Sequence, residues 1–248
     1  MTYLDSLCSR LLSEKYNNII GEAYQQDCLR LKQGEPYEYV LGWVTFLDTT
    51  IDLSLRPMIP RPETAFWVAR AIQELKQQSK SLRLADTFSG AGNVGVALLK
   101  HLENATVDFS ELDKTLAAQI EKNIVLNKLD ATRTKILSAS ALDGLTGQYD
   151  AIFAVPPYVP YEALPELDPE MITYEPHLAF FAHEDGHEFH RLLIAQAWDF
   201  LQEGGTLYME ADMDHNDAIR KLVEGTKWSK LEFWSDPYDA TPNVVLRK

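Results

Sequence analysis

The segment Leu82-Arg83-Leu84-Ala85-Asp86-Thr87-Phe88, running on into Ser89-Gly90-Ala91-Gly92-Asn93-Val94-Gly95, reads as an apolar strand, a glycine-rich turn and the start of a helix. Glycines at such a turn adopt positive φ without a Cβ penalty and let the backbone approach a ligand. The helix amino terminus adds free N–H groups suited to a carboxylate or a phosphate. Alone, Gly-x-Gly-x-x-Gly is weak, because a phosphate-binding turn or a tight packing turn reads the same way.

The neighbouring sequence strengthens the reading. Ala105 to Phe109, Thr134 to Leu137, Tyr149 to Val155 and Thr206 to Ala211 are strand-like. Helical stretches at Asp113 to Leu126, at Phe189 to Leu201 (ended by Gly204-Gly205) and at His215 to Glu224 fall between and after them. Leu231 to Trp234 and Asn243 to Arg247 are late strands. Such alternation predicts a doubly wound α/β fold with a mostly parallel sheet covered on both faces. Glu111 stands twenty-one residues beyond Gly90, where doubly wound sheets place an acid for a ribose diol; Asp108 and Asp113 compete for the role.

Upstream, residues 1–33 read as two short amphipathic helices, with apolar faces at Leu4, Leu7, Cys8, Leu11 and Leu12 and at Ile19, Ile20, Ala23, Tyr24 and Leu29. Tyr39 to Leu47 and Thr50 to Leu55 read as strands around a turn at Asp48-Thr49. A helix with Pro62 near its start should turn Phe66, Val68, Ala69, Ile72 and Leu75 inward. The predicted division is a helical cap (1–33), a β-hairpin linker (34–60) and a main domain (61–248).

Composition narrows the function. The 248 residues carry a formal net charge of −14, and no Lys/Arg cluster offers a phosphate-gripping face, so nucleic acid is not the expected partner and a basic protein fits better. No apolar run approaches the ~20 residues of a membrane span, and the amino terminus lacks the layout of a signal peptide. Cys8 and Cys28 are the only cysteines and are expected to be reduced, which suits the cytoplasm.

Strand Tyr149 to Val155 ends in Val155-Pro156-Pro157-Tyr158. Two prolines fix the exit loop and leave carbonyls without competing N–H groups, so the Pro156 carbonyl can accept from an amide NH2. The Tyr158 ring can pack against a planar group. A rigid loop exit with an aromatic plug is the plainer reading of the tetrapeptide by itself.

With these pieces in order, the chain resembles the release factor glutamine methyltransferase family of class I S-adenosylmethionine-dependent enzymes. The resemblance rests on Gly34-Glu35-Pro36, Tyr39-Val40-Leu41-Gly42, Ile59-Pro60-Arg61-Pro62-Glu63-Thr64, the glycine turn, Glu111 with Asn123 and Asn127, and Pro156-Pro157-Tyr158. Tyr174-Glu175-Pro176-His177-Leu178-Ala179, Glu184-Asp185-Gly186 and Gly204-Gly205 complete it. It implies a Rossmann-like sheet of seven strands, a monomer, S-adenosylmethionine as cofactor with S-adenosylhomocysteine as product, and the glutamine of a release factor's Gly-Gly-Gln as acceptor.

By the same resemblance Arg61, Glu63, Thr64, Asp86, Phe88, Gly90, Gly92, Glu111, Leu112, Ser140 and Ala141 surround the cofactor, while Val155, Pro156, Pro157 and Tyr158 hold the acceptor. Four departures stand out. Val155 replaces an Asn whose amide would pair with the substrate; Ser140 or Ala139 stands where an Asp meets the adenine; Thr87-Phe88-Ser89 alters the turn; and the amino-terminal helical part is about half the family's length. An altered acceptor, or a silent binding module, are the alternatives that Val155 raises. His183, His187 and His190 are spaced like metal ligands, but methyl transfer from a sulfonium needs no metal, and the segment is read as a loop-to-helix cap with no metal.

Overall fold

The computed structural model describes residues 2–235 and 243–248. Helices α1 (Tyr3–Glu14), α2 (Glu22–Lys32) and α3 (Tyr37–Leu41) precede a hairpin of β1 (Trp43–Phe46) and β2 (Thr49–Asp52). Then come α4 (Pro62–Lys76), β3 (Leu82–Thr87), α5 (Asn93–His101), β4 (Ala105–Glu111), α6 (Lys114–Leu126), β5 (Thr134–Ser138) and β6 (Tyr149–Ala154). After the two-residue β7 (Val159–Pro160), α7 (Pro169–Tyr174) and β8 (Phe181–Ala182), the chain forms α8 (Glu188–Phe200), β9 (Leu201–Glu210), α9 (Asn216–Val223), β10 (Lys230–Trp234) and β11 (Asn243–Arg247).

Seven strands form the main sheet in the order β10-β11-β9-β6-β3-β4-β5. From β5 to β9 they run parallel, and β11 and β10 close the other edge antiparallel. Side-chain alternation splits the core in two. Leu84, Val107, Phe109, Ala151, Phe153 and Tyr208 point to the face covered by α4, α5 and α6. Ala85, Ile152, Ala154, Leu207 and Met209 point to the face covered by α8 and α9. The chain leaves β3 toward β4 and β5, then returns to β6 on the other side of β3. That reversal opens a crevice at the carboxyl ends of β3, β4 and β6.

The sequence expectations for the amino-terminal third need three corrections. Residues 39–41 are helical, not strand, because Pro36 starts a short turn that Gly42 ends at φ 98°. Ile19 and Ile20 are exposed; they lie in the connection before α2 rather than on a helical face. In α4 Val68, Ile72 and Leu75 are buried as expected, but Phe66 is exposed and Ala69 half-buried, and Trp67 is buried instead, its indole N–H donating to Glu210 at 2.8 Å. A fourth correction concerns Gly204-Gly205, which lies within β9 rather than at the end of α8. Leu201 pairs with Tyr149 and Thr206 with Ala151, so the intervening residues bulge, with Gly204 at φ 74°.

The hairpin is fastened to the main domain by Asn123 of α6 and by Asn127, which caps that helix. Asn123 accepts from the Asp52 N–H (2.8 Å) and donates to the Ala91 carbonyl in the glycine turn (2.9 Å). Asn127 exchanges two hydrogen bonds with the Thr50 backbone. Phe46, Ile51 and Leu53 join the main core cluster, whereas Leu11, Leu31, Tyr37, Val40 and Leu41 form a separate one. Glu35 ties that cluster down, bridging Arg30 of α2 and Arg56 beyond the hairpin.

Candidate active site

The crevice is lined by the ends of β3, β4 and β6 and by two loops. One loop holds Met58 to Arg61 and the other Pro176 to Ala179. Glu175 clamps these loops together, accepting from the Ile59 N–H at 2.8 Å and from Arg61 Nη2 at 2.6 Å while itself 5% exposed. The two sequence motifs containing Arg61 and Glu175 are therefore one structural unit.

At the end of β3 the turn is tight. Phe88 takes φ 57° and Gly90 φ 53°; the space where a Cβ of Gly90 would lie is open. Positive φ at an aromatic residue is uncommon, and here the Phe88 ring packs edge-on against Phe189, centroids 5.1 Å apart. The Ser89 hydroxyl donates to the Asp86 carbonyl (2.7 Å) and accepts from the Ser110 N–H (3.1 Å), stitching the turn to β4. Gly95 leaves no room for a side chain: a Cβ would stand 2.2 Å from the Phe109 ring.

Of the three acids competing for the strand end, Glu111 faces the crevice. Its carboxylate accepts from the Gly90 N–H at 2.7 Å and the Asp113 N–H at 2.8 Å. Asp113 also lines the crevice but is spent capping α6 through the Thr115 N–H. Asp108 is committed to Arg83 and the Tyr149 hydroxyl, outside the crevice lining. Burial raises the pKa of Glu111 despite those N–H groups. It raises Asp86 further, to about 8, against the opposing hydrogen bond from the Gly95 N–H.

Arg61, Thr64, Asp86, Phe88, Gly90, Glu111, Leu112, Ser140 and Ala141 all line the crevice, as do Val155 and Pro157. Gly92 does not; it sits at φ 76° heading α5, where a Cβ would press on Ile120 at 3.0 Å, so its glycine serves packing. Glu63, Pro156 and Tyr158 line a second pocket with Val159, Met171, Phe180 and Glu210. Met58, Arg61, Val155 and Ala179 line both. Val155 thus stands where the two spaces meet.

Glu210, absent from the sequence-based site, is the central polar group of the second pocket. It is 2% exposed and accepts from the Thr64 hydroxyl (2.6 Å), Trp67 Nε1 (2.8 Å) and the Tyr158 hydroxyl (3.3 Å). Burial raises its pKa against those three donors. Burial and the neighbouring Glu210 charge also push the Tyr158 hydroxyl well up, so it remains a donor. The signal for Glu210 was available: like Glu111 it is an acid at the carboxyl end of an apolar strand. Ser110, Asn93, Leu116 and Phe189 also line the crevice without having been singled out.

The crevice has the chemistry of a nucleoside site. An acid oriented by backbone N–H groups suits a diol, an open glycine admits close approach, and Leu112, Leu116, Ala141 and Leu178 supply an apolar bed. Residues 69–177 match the family model described as methyltransferase small domain. A release factor glutamine methyltransferase of Lactococcus lactis is 30% identical over 202 residues, covering 82% of this chain and 73% of that protein. One from Bradyrhizobium diazoefficiens is 33% identical over 225 residues, covering 90% and 74%. Among solved structures, the 16S rRNA N2 G1207 methyltransferase of T. thermophilus superposes with TM-score 0.58 at 16% identity, covering 83% of this chain and 49% of that one. An S-adenosylmethionine-dependent O-methyltransferase of Thermotoga maritima gives 0.56 at 15% identity, covering 79% and 68%. These two show the fold.

Proposed function

The chain belongs to the release factor glutamine methyltransferase family, and on that premise we propose that it methylates the side-chain amide of a release-factor glutamine. The observation that carries the proposal is the position of Val155, with the Glu111 crevice on one side and the Pro156–Tyr158–Glu210 pocket on the other. A methyl donor and a planar amide can meet there.

S-adenosylmethionine, when bound, supplies an electrophilic sulfonium methyl and departs as S-adenosylhomocysteine. Glu111 would receive the ribose hydroxyls, its carboxylate already oriented by Gly90 and Asp113. The open backbone at Gly90 would admit the methionine portion. Leu112, Ser140 and Ala141 would border the base, with the Ser140 hydroxyl in place of the family's carboxylate.

An amide nitrogen is a weak nucleophile, because its lone pair is delocalised into the carbonyl, so catalysis here is chiefly positioning. The Pro156 carbonyl accepts no hydrogen bond among the described residues and would take one amide hydrogen. Val155 offers nothing to the rest of the amide. A buried polar group left unpaired costs about 1–3 kcal/mol, which is roughly ten- to hundredfold in rate. As the nitrogen gains its methyl it loses a proton, and of the two carboxylates lining this pocket Glu210, buried, with an elevated pKa and hydrogen-bonded to Tyr158, would receive it.

We also place the protein as a monomer in the cytoplasm with a protein partner and no lipid or nucleic-acid one. Supporting this are the charge of −14, the two free thiols of Cys8 and Cys28, and the lack of any described helix long and apolar enough to span a membrane. The deciding experiment incubates the protein with S-adenosylmethionine and a purified release factor, then sequences the tryptic peptides by mass spectrometry. One added methyl on the Gly-Gly-Gln glutamine is expected. Methyl on another residue, or none while the cofactor binds tightly, overturns the proposed acceptor.

A further inference from the structure

Beside the acceptor pocket lies a cluster that methyl transfer does not use. His187 and His190 at the head of α8 meet His215 at the head of α9, with one ring nitrogen of each within 4.8 Å of the others. The ring centroids of His187 and His215 are 4.4 Å apart, and those of His190 and His215 5.3 Å. His190 is fully buried and His215 is 7% exposed. His183, which the sequence spacing grouped with this segment, is exposed and packs on Tyr161 instead.

The hydrogen bonding is incomplete in an informative way. Nδ1 of all three rings is buried without a partner. In His190 the other nitrogen, Nε2, lies 3.0 Å from the Glu210 carbonyl. A carbonyl only accepts, so Nε2 carries the hydrogen and Nδ1 is left with a bare lone pair. Buried polar atoms are rarely left unmatched, and three in one place are poorly explained as packing. A ring held through its second N–H by a backbone carbonyl is the arrangement of a metal-bound histidine.

We propose that His187, His190 and His215 bind one zinc-class divalent cation. Three imidazoles without a carboxylate suit zinc, which accepts three nitrogen ligands and a fourth donor, and they do not suit the oxygen-seeking calcium or magnesium. Zn–N bonds of 2.0–2.1 Å set tetrahedral nitrogens about 3.4 Å apart, so small ring rotations would close the cluster. Asp212 and Asp214 beside His215, and Glu184 and Asp185 beside His187, outnumber the lone Arg191 and favour a dication. Asn216 Oδ1, next along from His215 and also buried without a partner, is a candidate fourth donor.

The ion would be structural. It would pin the heads of α8 and α9 together directly behind Tyr158, whose ring stacks on His190 and meets His215 edge-on, both with centroids 6.2 Å away. Gly186 closes the same corner, where a Cβ would stand 2.2 Å from the Tyr158 carbonyl. Metal loading would act on the acceptor pocket only by holding Tyr158 in place.

The test strips the purified protein with a chelator and titrates zinc against a chromophoric indicator. One zinc per chain is expected, bound at least a hundredfold more weakly in His187→Gln and in His215→Gln, with His183→Gln unchanged. Circular dichroism would establish that the variants remain folded. If either variant does not fold, cobalt substitution in the unaltered chain decides, through the intense visible bands of a four-coordinate nitrogen site. Zinc affinity in the unaltered chain no greater than in either folded variant, or an equal loss in His183→Gln, overturns the proposal, as does the pale spectrum of six-coordinate cobalt. None of these readouts depends on the identity of the methyl acceptor.

Discussion

On the cofactor side of Val155 the polar groups are largely main chain or held by main chain. The turn from Asp86 to Gly95 presents N–H groups, and Glu111 takes its orientation from two of them. On the acceptor side they are side chains brought from distant parts of the sequence: Thr64 and Trp67 of α4, Tyr158 after β6, and Glu210 at the end of β9. A site made of backbone tolerates changes in spelling as long as the path of the chain survives, which is how Thr87-Phe88-Ser89 departs from the family without closing the turn. A site made of side chains has no such tolerance, and a single change such as Val155 removes a partner outright.

The largest effect that would break this contrast concerns Glu111, the side chain of the backbone-built half that faces the ligand space. Glu111→Ala removes the acceptor of two charge-assisted hydrogen bonds as well as the diol partner. Cofactor affinity measured by titration calorimetry should fall by about a hundredfold or more. A loss under tenfold would mean the crevice holds its ligand some other way.

Val155→Asn tests the opposite side. Restoring the missing amide should raise methyl transfer to the release factor by roughly ten- to hundredfold and leave cofactor affinity unchanged. An unchanged rate would transfer the defect to another part of the pocket, or the acceptor to another substrate. Glu210→Gln should cost less, about tenfold in rate at saturating cofactor, with a lowered urea midpoint. Its Oε2 accepts from both Thr64 and Trp67, and an NH2 group at that atom would face two donors. Unaltered kinetics in a folded variant would remove Glu210 from the reaction.

The same contrast explains what was legible in the sequence. Strand–turn–helix alternation and the glycine turn are local, so β3 to α6 and the Glu111 crevice could be anticipated from short stretches. Glu111 was preferred on its spacing from Gly90, with Asp108 and Asp113 as competitors, and the structure shows what spacing could not: Asp108 is taken by Arg83 and Tyr149, while Glu111 meets the Gly90 N–H. Glu210 was missed because its partners lie 52 to 146 positions away in sequence. The histidine cluster shows this most sharply: spacing selected His183, and the fold replaces it with His215 from the head of another helix. Where Phe66 was expected inward and Trp67 is found there, the buried Glu210 carboxyl supplies the reason, since of the two only the indole can donate to it.

The smallest effect sharpens the comparison from within the backbone-built half. Asp86 is buried there and its pKa rises from 3.8 to about 8, with loss of solvation outweighing the Gly95 N–H. A folded-state pKa above the unfolded one means that the folded chain holds a proton the unfolded chain has released. Stability from this group is therefore full below pH 3.8 and declines as pH rises toward 8. A pH unit is worth at most about 1.4 kcal/mol, so between pH 7 and 8 the cofactor-free protein should lose about 1 kcal/mol, read from urea midpoints. Asp86→Asn should flatten that slope, because an amide cannot ionise, while keeping an oxygen for the Gly95 N–H. If the slope persists in Asp86→Asn, the proton belongs to another group, and Glu111, whose pKa burial also raises, is the next candidate in the same half of the site.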